Sequence, residues 1–296
     1  MSPIVILLVT LAAAVHVLWN TLVKTCTDKP SFAVLTSLFG ALVTGLAYLL
    51  ARCCGITPMG INMWGYAAIS GLFEALYTIL LFQAYGFGDL SVVYPLSRGV
   101  APAFTLLLGG MLLGDRLSAA HATAVMVIII GVGAVSISVF LRNRTGQQDE
   151  GILPAVATGL MIAGYHLVDR GAMLHLDPPH PIEYLFAIHL FLMVFVAIWV
   201  IFLGGRSRRI INEWHTNRRG IIIVGVCVPL SYFLIIIALK YGNVTLITAT
   251  RNVGILFSTV VGWLFLKEPI SRLRITGSII IAIGVAGLAM ISHISG

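Results

Sequence analysis

The sequence has few charged residues. Lys and Arg together contribute 18 of its 296 residues and Asp and Glu 11, which makes 10% of the chain, whereas soluble domains carry roughly 25%. Apolar residues make up 59% of the chain, and the mean hydropathy is +1.01. A soluble fold of this size could not cover its surface with so few charges. The composition therefore excludes a water-soluble protein and predicts an integral membrane protein.

Motifs of enzymes and metal proteins are also lacking. The four cysteines form no CxxC pair and have no metal-binding spacing to histidine, which argues against structural zinc or a redox pair. No GxSxG, HExxH or P-loop motif occurs, so nothing indicates hydrolase or pump chemistry. We expect no cofactor and no metal. We expect no nucleic-acid partner either, because the net charge of +7 is typical of cytoplasmic loops in membrane proteins.

Long apolar runs dominate the chain. A helix needs about 20 apolar residues to cross the hydrocarbon core, and charges, Pro, Gly and Asn delimit ten such runs. The runs cover residues 3–23, 31–51, 63–86, 91–113, 119–141, 152–172, 183–204, 219–239, 243–266 and 272–292. Because they are continuous, we predict an all-α polytopic membrane protein with ten transmembrane helices and no barrel. No basic residue precedes Ile4, so we expect the first run to be a retained span and not a cleaved signal peptide.

The two halves of the chain resemble each other when Arg98 is aligned with Arg251. The same alignment places Asp115 on Glu268, in an acidic turn that follows the fourth span of each half. Five spans per half make the second copy enter the membrane from the opposite side. We therefore predict inverted five-helix repeats at residues 1–141 and 152–292, joined by a loop at 142–151. Secondary transporters often have this architecture, with a substrate site near the midplane between the halves.

The loop charges predict an orientation. Ten spans place both termini on the same side of the membrane. Twelve lysines and arginines lie in the odd-numbered loops and three in the even-numbered loops. Because positive loops stay inside, the odd loops should be cytoplasmic and both termini outside.

Three charged side chains lie well inside predicted spans, away from their ends, namely Glu74, Arg98 and Arg251. An arginine that faces lipid is disfavoured by about 2.5–3.5 kcal/mol, so the two arginines should face a shared interior. They could clamp a carboxylate or phosphonate through bidentate hydrogen bonds. Alternatively, one of them pairs with Glu74 to fasten helices together, or Arg98 reaches an interface along its flexible side chain.

Glu74 is also a candidate for proton coupling. Desolvation favours the protonated form of a carboxyl group, whereas a neighbouring arginine favours the ionised form. A carboxyl group whose surroundings alternate between wet and dry could therefore load and release a proton. Asp169, near the end of the sixth span, is a second candidate for this role.

Polar side chains line one face of the first span and one face of the sixth. Either these faces line the transport cavity, or the aromatic residues lie at the membrane interface and His16 hydrogen-bonds to a neighbouring helix. Aligning Lys24 with Arg170 places Asn20 on His166. The residues at this helical spacing are His16, Trp19 and Asn20, and then Tyr165, His166 and Asp169.

Tyr94 and Asn252 lie close in sequence to the two arginines, and they complete the set of candidate substrate-binding residues. This set comprises Arg98, Arg251, Glu74, Trp19, Asn20, Tyr94, Tyr165, His166 and Asn252.

Several short motifs, together with the two five-span repeats, resemble the drug/metabolite transporter superfamily, EamA type. The motifs lie at residues 16–20, 88–99, 113–118 and 266–268, and Lys24, Tyr165 and Asp169 match in addition. The resemblance covers nearly the whole chain. It implies a secondary carrier that moves small metabolites without ATP, often by export.

Three positions depart from the pattern of this family. Asn252 stands where many relatives have Glu directly after the arginine, and Asp115 stands where Glu is usual. Glu74 lies where the family pattern has an uncharged residue or His. If Glu74 replaces the acid that is missing at Asn252, then the partner of Arg251 differs from the one in relatives.

Taken together, the residues and the resemblance lead to one functional hypothesis. We expect an alternating-access carrier of a small anionic or zwitterionic metabolite, such as an amino-acid-like compound, a carboxylate or a phosphonate. The alternative is a flippase for lipids or lipid-linked sugars. An enzyme ranks last, because Asp169 and Asp177 are too sparse to form a carboxylate cluster. The expected partners are the small-molecule substrate and membrane lipids, a homodimer is possible, and the bacterial inner membrane is the expected location.

Overall fold

The computed structural model describes residues 2–87, 90–115, 117–142, 149–202, 207–264 and 271–294. These ranges contain eleven α-helices and no β-strand, so the expectation of an all-α fold is confirmed. The helices are α1 (Pro3–Thr25), α2 (Lys29–Cys53), α3 (Ile61–Phe87), α4 (Leu90–Leu113), α5 (Ala119–Arg142), α6 (Asp149–Met173), α7 (Pro181–Phe202), α8 (Ser207–Tyr241), α9 (Val244–Thr250), α10 (Val253–Leu264) and α11 (Arg272–Ile294).

Most of these helices are long and apolar enough to cross a membrane. Within the described ranges nine segments meet this condition, and one of them, Val244–Val261, runs through both α9 and α10. The predicted span at 152–172 corresponds to α6, which has 25 residues but is not among the nine. It carries His166, Asp169 and Arg170 near its C-terminal end. The polytopic membrane fold is therefore confirmed, whereas the count of ten spans stays a prediction for α6.

The N-terminal part of α8 extends the helix beyond its predicted start. Residues 207–216 are helical, although the charges between 204 and 218 predict a loop. The buried carboxylate of Glu213 anchors this segment, because it accepts hydrogen bonds from Thr27 Oγ1 at 2.6 Å and from the Asp28 amide at 3.1 Å. The segment meets the transmembrane part of α8 at Asn217, whose backbone is not helical.

The predicted span at 243–266 is interrupted. After Thr250 the chain makes a turn at Arg251 and Asn252, and α10 begins at Val253. Across this break the backbone hydrogen bonds tighten to i−3 spacing, from the Asn252 amide to the Ala249 carbonyl at 3.0 Å, for example. In transporters, helices that break in this way supply polar backbone to substrate and ion sites.

The helix packing follows the internal repeat. α1 packs against α8 as α6 packs against α3, and α2 packs against α8 as α7 packs against α3. The contacts α2–α7 and α5–α11 join equivalent helices of the two halves. When each helix of the first half is replaced by its equivalent in the second half, and the reverse, every one of these contacts is again an observed contact. The boundaries at 141 and 152 stay a prediction, and most of the loop between them (143–148) lies outside the described residues, as does Glu268.

Glycines allow α5 and α11 to approach closely. A Cβ atom on Gly277 would lie 2.7 Å from the carbonyl oxygen of Gly131, and one on Gly131 would lie 2.9 Å from the Gly277 carbonyl oxygen. Neither position could hold a larger residue without moving the backbone of the other helix. Small residues at crossings of this kind are typical of membrane helices.

Candidate functional site

Both candidate arginines lie inside the helix bundle. Arg98, from α4, is 3% exposed, and Arg251, at the break between α9 and α10, is 2% exposed. The ring of Tyr94 lies one helical turn before Arg98, with its centroid 5.6 Å from the guanidinium carbon. Because the Arg98 side chain is buried among helices, it does not extend to the surface of the bundle.

Each arginine hydrogen-bonds to a histidine from another helix of its own half. Arg98 Nη2 donates to His16 Nε2, and Arg251 Nη1 donates to His166 Nε2 at 2.7 Å. The two pairs are equivalent when the halves are exchanged. His16 therefore corresponds to His166, in contrast to the sequence alignment that places Asn20 there.

The protonation of His166 follows from its second hydrogen bond. Its Nδ1 lies 3.0 Å from Thr248 Oγ1, and this hydroxyl donates its single hydrogen to the Val244 carbonyl at 2.8 Å. Thr248 Oγ1 must therefore accept a hydrogen bond from Nδ1–H, which leaves Nε2 as the acceptor for Arg251. The partner of Arg251 is thus a neutral imidazole, and the hydrogen bond does not neutralise the charge of the guanidinium.

Glu74, on α3, is buried without a direct partner. It is 7% exposed, and within the described part of the chain it makes no hydrogen bond or ion pair. Arg251 and Asp169 are the charged side chains whose electrostatic fields act on it. The proposed pairing of Glu74 with an arginine is therefore not formed in this structure, where each arginine contacts a histidine instead.

Asp169, in contrast, is fully satisfied. Its carboxylate accepts a hydrogen bond from Tyr184 Oη at 2.8 Å and another from Tyr232 Oη. These contacts join α6 to α7 and α8. A carboxylate held by two phenols favours a role in fixing helix positions, and its assignment as a proton carrier stays a prediction.

A cavity of about 50 Å³ lies at the centre of this group of residues. A volume of this size accommodates a few water molecules. Helices of both halves line it, and four candidate residues contact it, namely Trp19, Glu74, Tyr165 and Arg251. The candidates beside the cavity, outside its lining, are Asn20, Tyr94, Arg98, His166 and Asn252.

Two of these neighbouring residues differ in their hydrogen bonding. Asn20 donates to the His16 carbonyl and accepts from Tyr85 Oη, each at 2.7 Å. Asn252 is fully buried in the break before α10. Neither Oδ1 nor Nδ2 of its side chain has a hydrogen-bond partner among the residues that the structure describes.

Several polar residues that line the cavity were not predicted from the sequence. His189, on α7, has no other candidate residue at a catalytic or metal-binding spacing in the sequence. A search for such spacings therefore does not identify it. Its signal in the sequence is that it stands alone in a strongly apolar helix. The serine and threonine hydroxyl groups that the sequence analysis also missed belong to Thr36, Ser37, Thr78 and Ser231.

No metal centre is found in the described ranges, where no three His, Cys, Asp or Glu side chains are grouped to hold an ion. The four cysteines are free thiols. Burial raises the pKa of Cys26, just after α1, to about 12, which keeps that thiol protonated and poorly reactive.

Comparisons with known proteins identify relatives over the whole length of the chain. The EamA-like transporter family model matches residues 149–290. The pseudopaline exporter CntI of Pseudomonas aeruginosa, in strains UCBPP-PA14 and PAO1, is 26% identical over 287 residues, which cover 96% of this chain and 95% of the exporter. A solved crystal structure superposes with a TM-score of 0.70 at 19% identity, covers 98% of this chain and 97% of its own, and supports the fold. These matches indicate a transporter rather than an enzyme.

Proposed function

We propose that this chain, whose residues 149–290 match the EamA-like transporter family model, carries a small anionic or zwitterionic metabolite across the membrane by alternating access. The substrate binds in the central cavity between the two halves. Transport is secondary, without ATP, and its direction is export.

The observation that carries this proposal is the pair of buried arginines. Arg251 lines the cavity, and Arg98 lies directly behind the cavity-lining residue His16. Both are hydrogen-bonded to histidines, and burying a charge without a counter-charge is costly. Glu74 is the single acidic side chain on the cavity wall, among the described lining residues. A substrate anion would supply the missing negative charge, and the guanidinium groups would bind a carboxylate or phosphonate.

Contacts at both ends of the bundle fit alternating access. At one end, Arg170 Nη2 lies 3.3 Å from Asp115 Oδ1, and Arg170 Nη1 donates to the Leu239 carbonyl at 2.6 Å. At the other end, Glu213 joins α8 to the turn after α1, through Thr27. In the proposed cycle, one of these sets of contacts opens while the other stays closed, which admits the metabolite to the central cavity from one side at a time.

The direction and location of transport are proposed from the relatives. Both are exporters of pseudopaline in Pseudomonas aeruginosa. We therefore place this chain in a bacterial inner membrane and choose pseudopaline as the first substrate to test, beside simple carboxylates and phosphonates.

The test is solute efflux from proteoliposomes. Purified protein is reconstituted into vesicles loaded with pseudopaline, a carboxylate or a phosphonate, and efflux is followed in protein-containing and protein-free vesicles. We expect the wild type to release at least one of these solutes. Arg251→Gln and Arg98→Gln should each lower the rate at least tenfold, since a charged hydrogen bond contributes about 1.5–3 kcal/mol. Arg219→Gln, an exposed position on α8, is the matched control and should transport normally.

Normal efflux by both folded arginine variants would contradict the anion-binding role of this pair. Movement of a phospholipid with a fluorescent headgroup in the same vesicles, without efflux of any solute, would favour the flippase alternative.

A further inference from the structure

His189, on α7, presents an acceptor that no other described residue uses. The side chain is 1% exposed, and its Nδ1 lies 3.0 Å from the Leu185 carbonyl oxygen one turn earlier. Because a carbonyl oxygen can only accept, Nδ1 carries the proton, and Nε2 of the neutral ring is a bare acceptor. This nitrogen is buried without a hydrogen-bond partner, a situation that native proteins seldom leave unexplained.

His189 lines the central cavity from a different group of helices than Arg251 does. α7 packs against α2, α3 and α8, whereas Arg251 lies at the α9–α10 break beside His166 of α6. On α2, Gly40 allows the imidazole to pack closely, because a Cβ atom there would lie only 3.2 Å from His189 Cδ2. Glu74 lines the same cavity.

The hydroxyl groups around His189 are also acceptors. Ser37 Oγ donates to the Ala33 carbonyl at 2.8 Å, and Ser231 Oγ donates to the Val228 carbonyl at 2.9 Å. Each hydroxyl has one hydrogen, and both are used within their own helices. Ser37 and Ser231 therefore offer lone pairs, but no donor, to the cavity that they line.

We infer that Glu74 and His189 bind a protonated amine of the substrate, and that the substrate is therefore a zwitterion rather than a simple anion. An ammonium group has three donors and no acceptor, which complements a carboxylate, a bare imidazole nitrogen and hydroxyl lone pairs. A second anionic group placed against Glu74, His189, Ser37 and Ser231 would face the acceptors of these four side chains. The inference rests on the proposed function, in which the arginines bind the anionic part.

The probes for this inference are three forms of one compound. L-leucine is a zwitterion, N-acetyl-L-leucine keeps only the anion, and L-leucinamide keeps only the cation. Leucine is chosen because apolar side chains, including Leu192, Val224 and Val228, line the rest of the cavity. Binding to the folded state raises the melting temperature of the detergent-purified protein, which is measured against probe concentration. We expect leucine to act at a concentration about tenfold lower than either analogue, because hydrogen bonds to charged groups are strong.

Variants of His189 test its part in this preference. His189→Leu removes the acceptor and should raise the half-effective concentration of leucine about tenfold, while that of N-acetyl-leucine stays unchanged. His189→Gln keeps an acceptor oxygen and should retain part of the preference for leucine. It replaces His189→Leu as the test variant if His189→Leu does not fold. His121→Leu, on α5 and away from the cavity lining, is the matched control and should behave as the wild type.

Equal effects of leucine and N-acetyl-leucine on the wild type would overturn the inference. The same holds if neither His189 variant changes the preference, or if none of the three probes stabilises the protein. The efflux assay with carboxylates and phosphonates tests the proposed function separately, because it does not require an amine on the solute.

Discussion

At the scale of single residues, the site depends on how each arginine is held. The hydrogen bonds of Arg98 and Arg251 go to imidazole nitrogens, which orient the guanidinium groups without neutralising them. The sequence identifies both arginines, and also His166, as candidates. It does not predict the pairing, because the distances between α1 and α4 and between α6 and α9 are set by tertiary packing.

Gly254, near the start of α10, determines where Tyr94 lies. A Cβ atom at this position would overlap the Tyr94 hydroxyl group. Gly254→Ala should therefore displace Tyr94 from Arg98 and lower the free energy of unfolding by about 1–3 kcal/mol, the usual cost of overpacking. Thermal or chemical unfolding of the purified protein measures this change.

The double variant Gly254→Ala with Tyr94→Phe separates this overlap from a backbone effect. Without the hydroxyl group, the nearest ring carbon of residue 94 lies at 3.4 Å, which is an ordinary contact. Most of the lost stability should therefore return. Gly65→Ala, on α3 where a Cβ atom meets nothing within 4 Å, is the control. A loss that persists in the double variant would contradict the packing argument.

At the scale of helices, apolar runs predict where most elements lie and fail where polar residues dominate. Charges near 207–216 suggest a loop, but the segment is helical, and the buried carboxylate of Glu213 anchors it to the turn after α1. The break at Arg251 is not predicted, because the mean hydropathy of the segment Val244–Val261 is high enough for an uninterrupted span. Hydropathy averages over a window, whereas these features depend on single contacts with other helices.

The Asp115–Arg170 contact connects three helix ends. Gly114 ends α4 with a positive φ of 65°, and Asp115 then accepts from Arg170 at 3.3 Å and from the Val244 amide at 3.0 Å. Asp115→Asn removes the charge that both donors face. We expect the free energy of unfolding to fall by about 1–3 kcal/mol, since both side chains are about 90% buried.

Asp177→Asn is the matched control for this change, because Asp177 lies exposed between α6 and α7. Equal melting temperatures for Asp115→Asn and the wild type would show that the contact does not stabilise this end of the bundle.

At the scale of the whole molecule, the orientation in the membrane is still a prediction from the loop charges. A peptide tag at the C-terminus should bind antibody from outside intact cells. A tag inserted at 143–148, in a loop that is expected to be cytoplasmic, should bind only after the membrane is permeabilised. The reverse pattern would place both termini in the cytoplasm and would contradict the charge rule for this chain.

The fold is predicted from the sequence more completely than the site. Composition and apolar runs indicate the membrane helices, and the alignment of Arg98 with Arg251 anticipates the exchange of equivalent helix contacts. Of the cavity lining, the sequence identifies residues that are charged, such as Glu74, or that share a helix face with other polar residues, such as Trp19. His189 and the serine hydroxyls are missed, because their importance comes from the hydrogen bonds that they make with their own helices.

The contacts between equivalent helices, α2 with α7 and α5 with α11, bear on the ancestry of the chain. In a gene product of half the length, the same surfaces would join two copies inserted into the membrane upside down relative to each other. Duplication and fusion would make that arrangement permanent within one polypeptide. Each half would then be free to diverge. The surroundings of the two arginines differ in this way, because the Tyr94 ring lies beside Arg98, whereas Thr248 hydrogen-bonds to His166, the partner of Arg251.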